Sequence, residues 1–148
     1  MSRAATISLQ FPYLLTPLTL VNYLTCLGWR FDWDGQFTYW DALADKEVTV
    51  PFAEAHARLE QLTATRSHAL LSAWQVGPDP LGELNTYELN FDIDTNDASR
   101  VDAYTYAAKK RWTENGTAVD FDWYIERLCP SGNIGLPRPT VISTTLEP

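Results

Sequence analysis

Strict alternation of apolar and polar residues over 87–94 is the feature that most constrains the fold of this chain. Four apolar residues alternate there with four polar ones: Tyr87, Leu89, Phe91 and Ile93 with Glu88, Asn90, Asp92 and Asp94. Because successive side chains of a strand point to opposite faces, the pattern predicts an antiparallel strand with one buried face. Its other face would carry three acids and one amide.

Two helices in the first half are marked by signals at their ends and by apolar residues at helical spacing. The first is expected to begin after Thr16, with Pro17 at its first position, and to end at Gly28. The second follows Val50-Pro51 and has an apolar stripe of four residues: Phe52, Ala55, Leu59 and Leu62. The apolar side chains of each helix need an apolar surface to pack on.

The second half predicts two more helices and two more strands. Possible caps at 96–99 precede a helical pattern that Asn115-Gly116 would end, with four inward residues: Val101, Tyr104, Ala108 and Trp112. Asp120 can cap a short helix that Pro130 stops. Strands are expected over 69–76, which is followed by a Pro/Gly turn, and over 140–144.

Asp34-Gly35 separates the aromatic-rich runs 29–32 and 36–40, which is a hairpin signature. A two-residue loop would mix polar and apolar side chains on each face of the hairpin. A three-residue loop over 33–35 instead pairs Phe31 with Phe37 and Trp29 with Tyr39 on one face, so we predict that register. It leaves Trp33 at the tip, either folded over the sheet or held out for a partner.

Strands, hairpins and helices in this order predict an α+β fold, an antiparallel sheet with helices packed on one face. Residues 1–148 are expected to form a single globular domain, because a chain of this length buries about two thirds of its unfolded surface without a disulfide or metal. An apolar content of 45% and an aromatic content of 13% exclude a disordered acidic tail.

The chain is acidic, since 19 Asp and Glu against 11 Lys and Arg give a formal net charge of −8. A protein that binds nucleic acid directly usually presents a basic face that displaces counterions from the phosphates. We therefore expect no direct nucleic-acid contact. Such a charge suits a basic protein partner instead.

The segment 1–11 lacks the apolar core of a signal peptide, and no window approaches the ~20 apolar residues of a membrane span. These features predict a cytoplasmic protein without membrane contact. Cys26 and Cys129 are far apart and outside any Cys/His cluster, so we expect buried free thiols.

Motifs for catalysis and for cofactor binding are weak. His56 and Glu60 form the single metal-like pair, and the segment that starts at Asp92 lacks the Gly and Glu of a calcium loop. The chain contains no Gly-x-Ser-x-Gly motif and no phosphate-binding glycine loop. Asp122 and Glu126 share a helical face, which a solvated helix surface explains better than a hydrolase site. We expect no catalytic residues, no metal and no cofactor.

Two places in the chain have the side-chain chemistry of a partner-binding surface. One is the hairpin, where Asp32 and Asp34 flank Trp33 and where Trp40 is a second aromatic candidate. Rigid aromatic area inside an acidic rim is typical of a hot spot for a basic partner. The other is the exposed face of the alternating strand: Glu88, Asn90, Asp92 and Asp94. The sequence leaves open which of the two is the interface.

The first part of the chain resembles the opening of small bacterial immunity proteins, which neutralise a cognate secreted or contact-delivered toxin. Four stretches carry the resemblance, over roughly a quarter of the chain: Phe11-Pro12-Tyr13-Leu14-Leu15-Thr16, Tyr23-Leu24, Gly28-Trp29 and Asp34-Gly35-Gln36-Phe37-Thr38-Tyr39. It implies a cytoplasmic, non-enzymatic binder of one toxin domain, often a basic nuclease. Because such families share no universal functional motif, the resemblance assigns no site residue.

Three hypotheses follow from the sequence. The leading one is an immunity-type inhibitor of a basic toxin, which predicts a tight complex whose association slows with salt. The second is a small hydrolase with a carboxylate or His56 site, which predicts turnover in a concave pocket. The third is an acidic protein from a mobile element that imitates nucleic acid and competes with it for several basic proteins. The sequence does not indicate the oligomeric state.

Overall fold

A seven-stranded antiparallel sheet is the centre of the computed structural model, which describes residues 5–65, 69–93, 97–105, 119–130 and 138–146. Within these residues the strands run in the spatial order β3-β2-β4-β5-β6-β1-β7. Their bounds are β1 (Ala5–Gln10), β2 (Gln36–Asp41), β3 (Lys46–Pro51), β4 (Ala69–Pro78), β5 (Leu84–Ile93), β6 (Arg100–Thr105) and β7 (Thr140–Leu146).

The alternating segment forms β5, as predicted. Tyr87, Leu89 and Phe91 are buried on one face of the sheet. Glu88 and Asn90 lie on the other face and are half-buried. Burial also alternates along most of β4 and along β6, so one face of the sheet is buried and apolar and the other is mixed.

Three helices pack on the apolar face: α1 (Pro17–Cys26), α2 (Ala55–Thr65), which a 3-10 turn at Phe52–Glu54 precedes, and α3 (Phe121–Leu128). The predicted caps are present. The Thr16 and Thr19 hydroxyls each accept a hydrogen bond from the other residue's backbone N–H, and the Asp120 carboxylate accepts one from the Trp123 N–H. These caps satisfy donors that a helix start leaves unpaired.

The core lies between these helices and the apolar face. The Tyr23 hydroxyl donates a hydrogen bond to the Leu128 carbonyl at 2.6 Å, and the Trp29 indole N–H donates one to the Arg127 carbonyl at 3.0 Å. These two bonds join α1 and the chain after it to α3, and burial raises the pKa of the Tyr23 hydroxyl. The α+β fold with helices on one face is therefore confirmed.

The helix predicted from the caps at 96–99 is wrong where the structure describes it, because 100–105 is a strand. β6 pairs with β5 on one side and with β1 on the other. Val101 and Ala103 are buried, while Asp102 and Tyr104 face the opposite side of the sheet. Pairing on both edges therefore outweighs the local helical spacing. The rest of that predicted helix, 106–116, lies outside the described residues.

The predicted hairpin register is also wrong. Asp34 and Gly35 have φ of +50° and +76°, and Trp33 and Gln36 exchange two backbone hydrogen bonds around them. This is a two-residue loop of the kind that Asp-Gly favours. The expected mixing of polar and apolar side chains on each hairpin face does not arise, because the chain before Trp33 does not continue along β2. Arg30 instead exchanges two backbone hydrogen bonds with Trp74 of β4. The strands that pair with β2 are β3 and β4.

Cys26 is exposed at the end of α1, contrary to the expectation of a buried thiol, and Cys129 is partly buried. Burial raises the pKa of the Cys129 thiol to about 11. A helix long and apolar enough to cross a membrane is not found among the described residues.

Candidate functional site

The face of the sheet opposite the helices presents a patch of aromatic and polar side chains from four adjacent strands, β3, β2, β4 and β5. Cross-strand pairing places Trp40 between Glu47 and Leu70. It also places Trp74 beside Glu88, and Ser72 beside Asn90. We call this side of the sheet the open face, because α1, α2 and α3 all pack on the other side.

A groove of about 470 Å³ runs across the open face. Trp33 and Trp74 form one wall, with ring centroids 5.5 Å apart and planes at 82°. Trp40 and Glu47 belong to the opposite wall. The rest of the lining is mixed, with polar Thr38, Ser72 and Asn90 beside apolar and aromatic residues: Phe31, Tyr39, Leu70 and Ala73. The groove thus combines large aromatic surfaces with hydrogen-bonding groups.

Trp74 is fixed in position by the chain that precedes the hairpin turn. Its indole N–H donates a hydrogen bond of 2.6 Å to the Asp32 carbonyl. The Arg30 guanidinium lies 4.6 Å from the centroid of the Trp74 ring and donates two hydrogen bonds to the Asp32 carboxylate, at 3.0 and 2.6 Å. These bonds hold the pKa of the Asp32 carboxyl below its usual range. Asp32, predicted as part of an acidic rim, therefore supports Trp74.

Trp33 and Trp40 are the most exposed tryptophans of the described residues, at 51% and 39% of their full accessible surface. Trp33 does not project freely from the turn, because its ring packs edge-to-face on Trp74. Each ring leaves a large apolar area accessible from the groove. Burial of that area by a partner would be favourable at ~25 cal/mol per Å².

Two carboxylates line the groove at different places, Glu47 on β3 and Glu88 on β5. Within the described part of the chain, neither carboxylate makes a hydrogen bond or an ion pair. Asn90 accepts a hydrogen bond of 2.7 Å from the Ser72 hydroxyl. The lining that the structure describes contains no Lys, Arg or His. The groove is therefore negatively charged.

The acidic character extends from the groove toward β6. Asp92 lies directly across from Asp102, and the Asp102 carboxylate accepts a hydrogen bond of 2.6 Å from the Ser8 hydroxyl. Arg100 is a cation beside this pair, with its Nε 3.6 Å from an Asp102 oxygen. Like charges on directly opposed residues of a sheet repel each other, and the Arg100 contact offsets part of that repulsion.

The two binding regions that the sequence presented as alternatives form one surface. Trp33, Trp40, Glu88 and Asn90 all line the same groove, and Asp92 lies in the row next to it. Asp34 is exposed at the turn and does not line the groove. Asp94 lies outside the described residues.

The sequence prediction missed Trp74 and Glu47. Both faces of β4 contain apolar residues, because Leu70, Trp74 and Val76 are on one side while Leu71 and Ala73 are on the other. Alternation therefore could not assign Trp74 to the open face. Glu47 was missed because β3 itself was not predicted.

The two carboxylates of the groove are too far apart to form the carboxylate pair of a glycoside hydrolase. Glu47 and Glu88 lie three strands apart and in rows offset by four residues, about 20 Å at the spacings of a sheet. The carboxylate pair of a glycoside hydrolase is only ~5–9.5 Å apart. The exposed His56 and Glu60 side chains contact each other at 2.9 Å on α2. In the described ranges, no three potential metal ligands come together.

No protein-family model, curated protein or solved structure matches this chain.

Proposed function

We propose that this protein is a non-enzymatic binder that captures a basic protein partner on its open face, as an immunity-type inhibitor of a cognate bacterial toxin. The observation that carries the proposal is the groove, in which Trp33, Trp40 and Trp74 surround polar groups together with two carboxylates. Tryptophans at the centre of an interface commonly contribute most of its binding energy.

Charge supports a basic partner. The net charge of −8 and the acids of the open face attract a basic protein over a distance of about one Debye length, ~8–10 Å at physiological salt. Such attraction accelerates encounter and orients the partner before close contact forms. An inhibitor that must capture a toxin soon after it enters a cell benefits from fast association.

The extent of the exposed apolar surface supports a protein over a small molecule. Beyond Trp74 the open face continues along β4 and β5 to exposed Val76 and Leu84, and exposed Leu81 lies in the hairpin that joins them. The described length of β4 alone is about 30 Å at ~3.4 Å per residue. A small ligand would cover the groove and leave this strip in water, whereas a protein interface of ~800 Å² per partner can cover both.

The inhibitor role also draws on the resemblance of residues 11–39 to immunity proteins. Within that segment the open face receives Trp33, the Thr38 hydroxyl and the Arg30–Asp32 pair that supports Trp74. The segment therefore contributes directly to the proposed interface as well as to the core.

A growth-rescue experiment tests the proposal. Bacteria that express a toxin encoded in an adjacent reading frame are supplied with the wild-type protein, with Trp33→Ala/Trp40→Ala, or with Leu43→Ala. Leu43 is an exposed apolar residue in the β2–β3 turn and does not line the groove, so it is a matched control. We expect rescue by the wild type and by Leu43→Ala, and none by the double variant. Equal rescue by the double variant at equal expression would contradict the proposal.

A further inference from the structure

We infer that the groove is a cation site that takes the guanidinium group of a partner arginine between the Trp33–Trp74 corner and Glu88. This inference rests on the proposed function, because the arginine belongs to the captured partner. It names the chemical group that the aromatic and acidic groove would bind.

The angle between the aromatic rings favours a cation over a flat neutral ligand. Trp33 and Trp74 are nearly perpendicular, at 82°, and form a corner. A sugar ring stacks best on a broad flat platform, which two perpendicular indoles do not provide. A cation is attracted by the electron-rich face of any indole within ~6 Å, so a corner with one exposed ring face is sufficient.

Glu88 supplies the counter-charge at this corner. It is the cross-strand neighbour of Trp74, so its Cβ lies ~4.5–5.5 Å from that of Trp74. The side chain is half-buried, and its carboxylate has no partner within the described residues. A neutral ligand that covered the groove would remove water from this carboxylate without replacing its hydrogen bonds, which is costly. A guanidinium would replace them.

The polar groups beside the corner favour guanidinium over ammonium. A guanidinium has five N–H donors in one plane and needs several acceptors at fixed positions. The Glu88 carboxylate offers two oxygens, and the Asn90 carbonyl oxygen, which already accepts from Ser72, retains a second lone pair. Ser72 itself lines the groove and offers a hydroxyl oxygen.

The same combination of groups already binds a guanidinium beside the groove. Arg30 lies over the Trp74 ring and is held by the Asp32 carboxylate. Arg30 borders a smaller cleft beside α1 and α2 and does not line the groove. Arg127 lies 4.0 Å from the centroid of the Trp123 ring in a second such contact. One face of Trp74 is already covered by Arg30, so the partner guanidinium would use the exposed ring of Trp33, with Glu88 of the same groove as its counter-charge.

NMR of the ¹⁵N-labelled full chain tests the cation site without any toxin. Indole N–H signals, assigned by single Trp→Phe variants, are followed during titration with acetyl-Gly-Arg-Gly-amide. The comparison peptide carries citrulline, which has the shape of arginine and no charge. We expect saturable shifts at Trp33 and Trp74 in the millimolar range and none at the buried Trp29 and Trp123. Citrulline should bind about fivefold more weakly or worse, as expected for one cation–π contact and one exposed ion pair.

Two variants test whether Glu88 forms the ion pair with the arginine of the peptide. Glu88→Gln should weaken binding of the arginine peptide by about fivefold, the effect of one partly exposed ion pair, while Glu126→Gln on α3 should leave it unchanged. Equal binding of the arginine and citrulline peptides, or equal binding by Glu88→Gln and wild type, would overturn the inference. The citrulline comparison decides the question even if Glu88→Gln does not fold.

Two further ligands test whether the bound group is a cation and whether that cation is a guanidinium. A lysine peptide that binds more tightly than the arginine peptide would overturn the choice of guanidinium, and a cello-oligosaccharide that binds more tightly would overturn the cation site. The outcome is independent of the proposed function. Peptide binding combined with failure of the wild type to rescue growth leaves the cation site and rejects the inhibitor role. No peptide binding, combined with rescue by the wild type and none by Trp33→Ala/Trp40→Ala, does the reverse.

Discussion

The two faces of the sheet use tryptophan for different purposes. On the face that carries the helices, Trp29 and Trp123 are only 1% and 7% exposed. On the open face, Trp33 and Trp40 keep 51% and 39% of their surface accessible. The same residue type therefore stabilises the fold on one side and, in the proposed function, provides contact area on the other.

Trp74 shows how a tryptophan of the open face is held in place. Its indole N–H is satisfied internally by the Asp32 carbonyl, just as that of the buried Trp29 is satisfied by the Arg127 carbonyl. Trp74 also lies in the groove lining. A ring that is already held in place loses little conformational entropy when a partner covers it. In the proposed function, Trp74 is therefore a contact that is already held in place before the partner binds.

The largest expected effect is on the covered face. Trp29→Ala should lower the free energy of unfolding by ~3–5 kcal/mol, because it removes a buried ring and leaves a cavity. Denaturant unfolding measures the loss. Trp40→Ala on the open face is the control and should cost less, because 39% of its surface is already in water. Similar losses for the two variants would remove the difference between the faces.

The next effect is on affinity. Trp33→Ala should weaken the complex with the partner by ~2 kcal/mol or more, because a groove-lining tryptophan is lost from the interface. The free energy of unfolding of Trp33→Ala should fall by much less than that of Trp29→Ala, since half of the Trp33 surface is already in water. Calorimetric binding and thermal melting separate the two quantities. Unchanged affinity with a lowered melting temperature would make Trp33 a packing residue.

A smaller effect is expected on the association rate. Glu47→Lys/Glu88→Lys should slow association about tenfold at low salt, because two attractive charges on the open face become repulsive. The control pair Glu60→Lys/Glu126→Lys has the same charge change on α2 and α3. Stopped-flow association at several salt concentrations distinguishes them. Equal slowing by both pairs would show that only net charge matters and that the open face has no special role.

The smallest effect concerns the thiols. The pKa of Cys129 in the folded protein is raised to about 11 by burial. The unfolded chain ionises at the ordinary pKa of 9.0, so it binds fewer protons than the fold above that pH. Cys129 should therefore contribute a loss of stability as the pH rises from about 9 to about 11.

Thiol labelling checks this assignment at neutral pH. Exposed Cys26 should react with a thiol reagent in the native protein, whereas Cys129 should react only after unfolding. Melting curves of wild type and Cys129→Ser between pH 8 and 11 give the pH dependence. Equal labelling rates for the two cysteines, or the same pH dependence in both proteins, would contradict the burial of Cys129.

The sequence predicts those elements whose signals are local. The alternation of β5 and the caps at Thr16 and Asp120 depend only on neighbouring residues, and all three are confirmed. β6 could not be assigned in this way, because its pairing with β1 joins residues about 90 positions apart. The hairpin register failed for a similar reason, since Arg30 finds its partner Trp74 on a distant strand.

The candidate site was only partly predictable for the same physical reason. Exposed acids on β5 and an aromatic residue at the Asp34-Gly35 turn can be recognised locally. Their arrangement around one groove depends on the order β3-β2-β4-β5, which places the turn region next to the strand acids. Strand order is set by long-range pairing. The turn region and the acidic face of β5, which are far apart in the sequence, therefore share one surface only in the folded sheet.

Oxidative footprinting of the tryptophans in the complex tests the central claim most directly, that the open face is the binding face. The protein is exposed to hydroxyl radicals alone and with its partner, and the modification of each tryptophan is measured by mass spectrometry. We predict that Trp33 and Trp40 are modified in the free protein and protected in the complex, while Trp29 and Trp123 are modified little in both. Undiminished modification of Trp33 and Trp40 in a saturated complex would contradict the account.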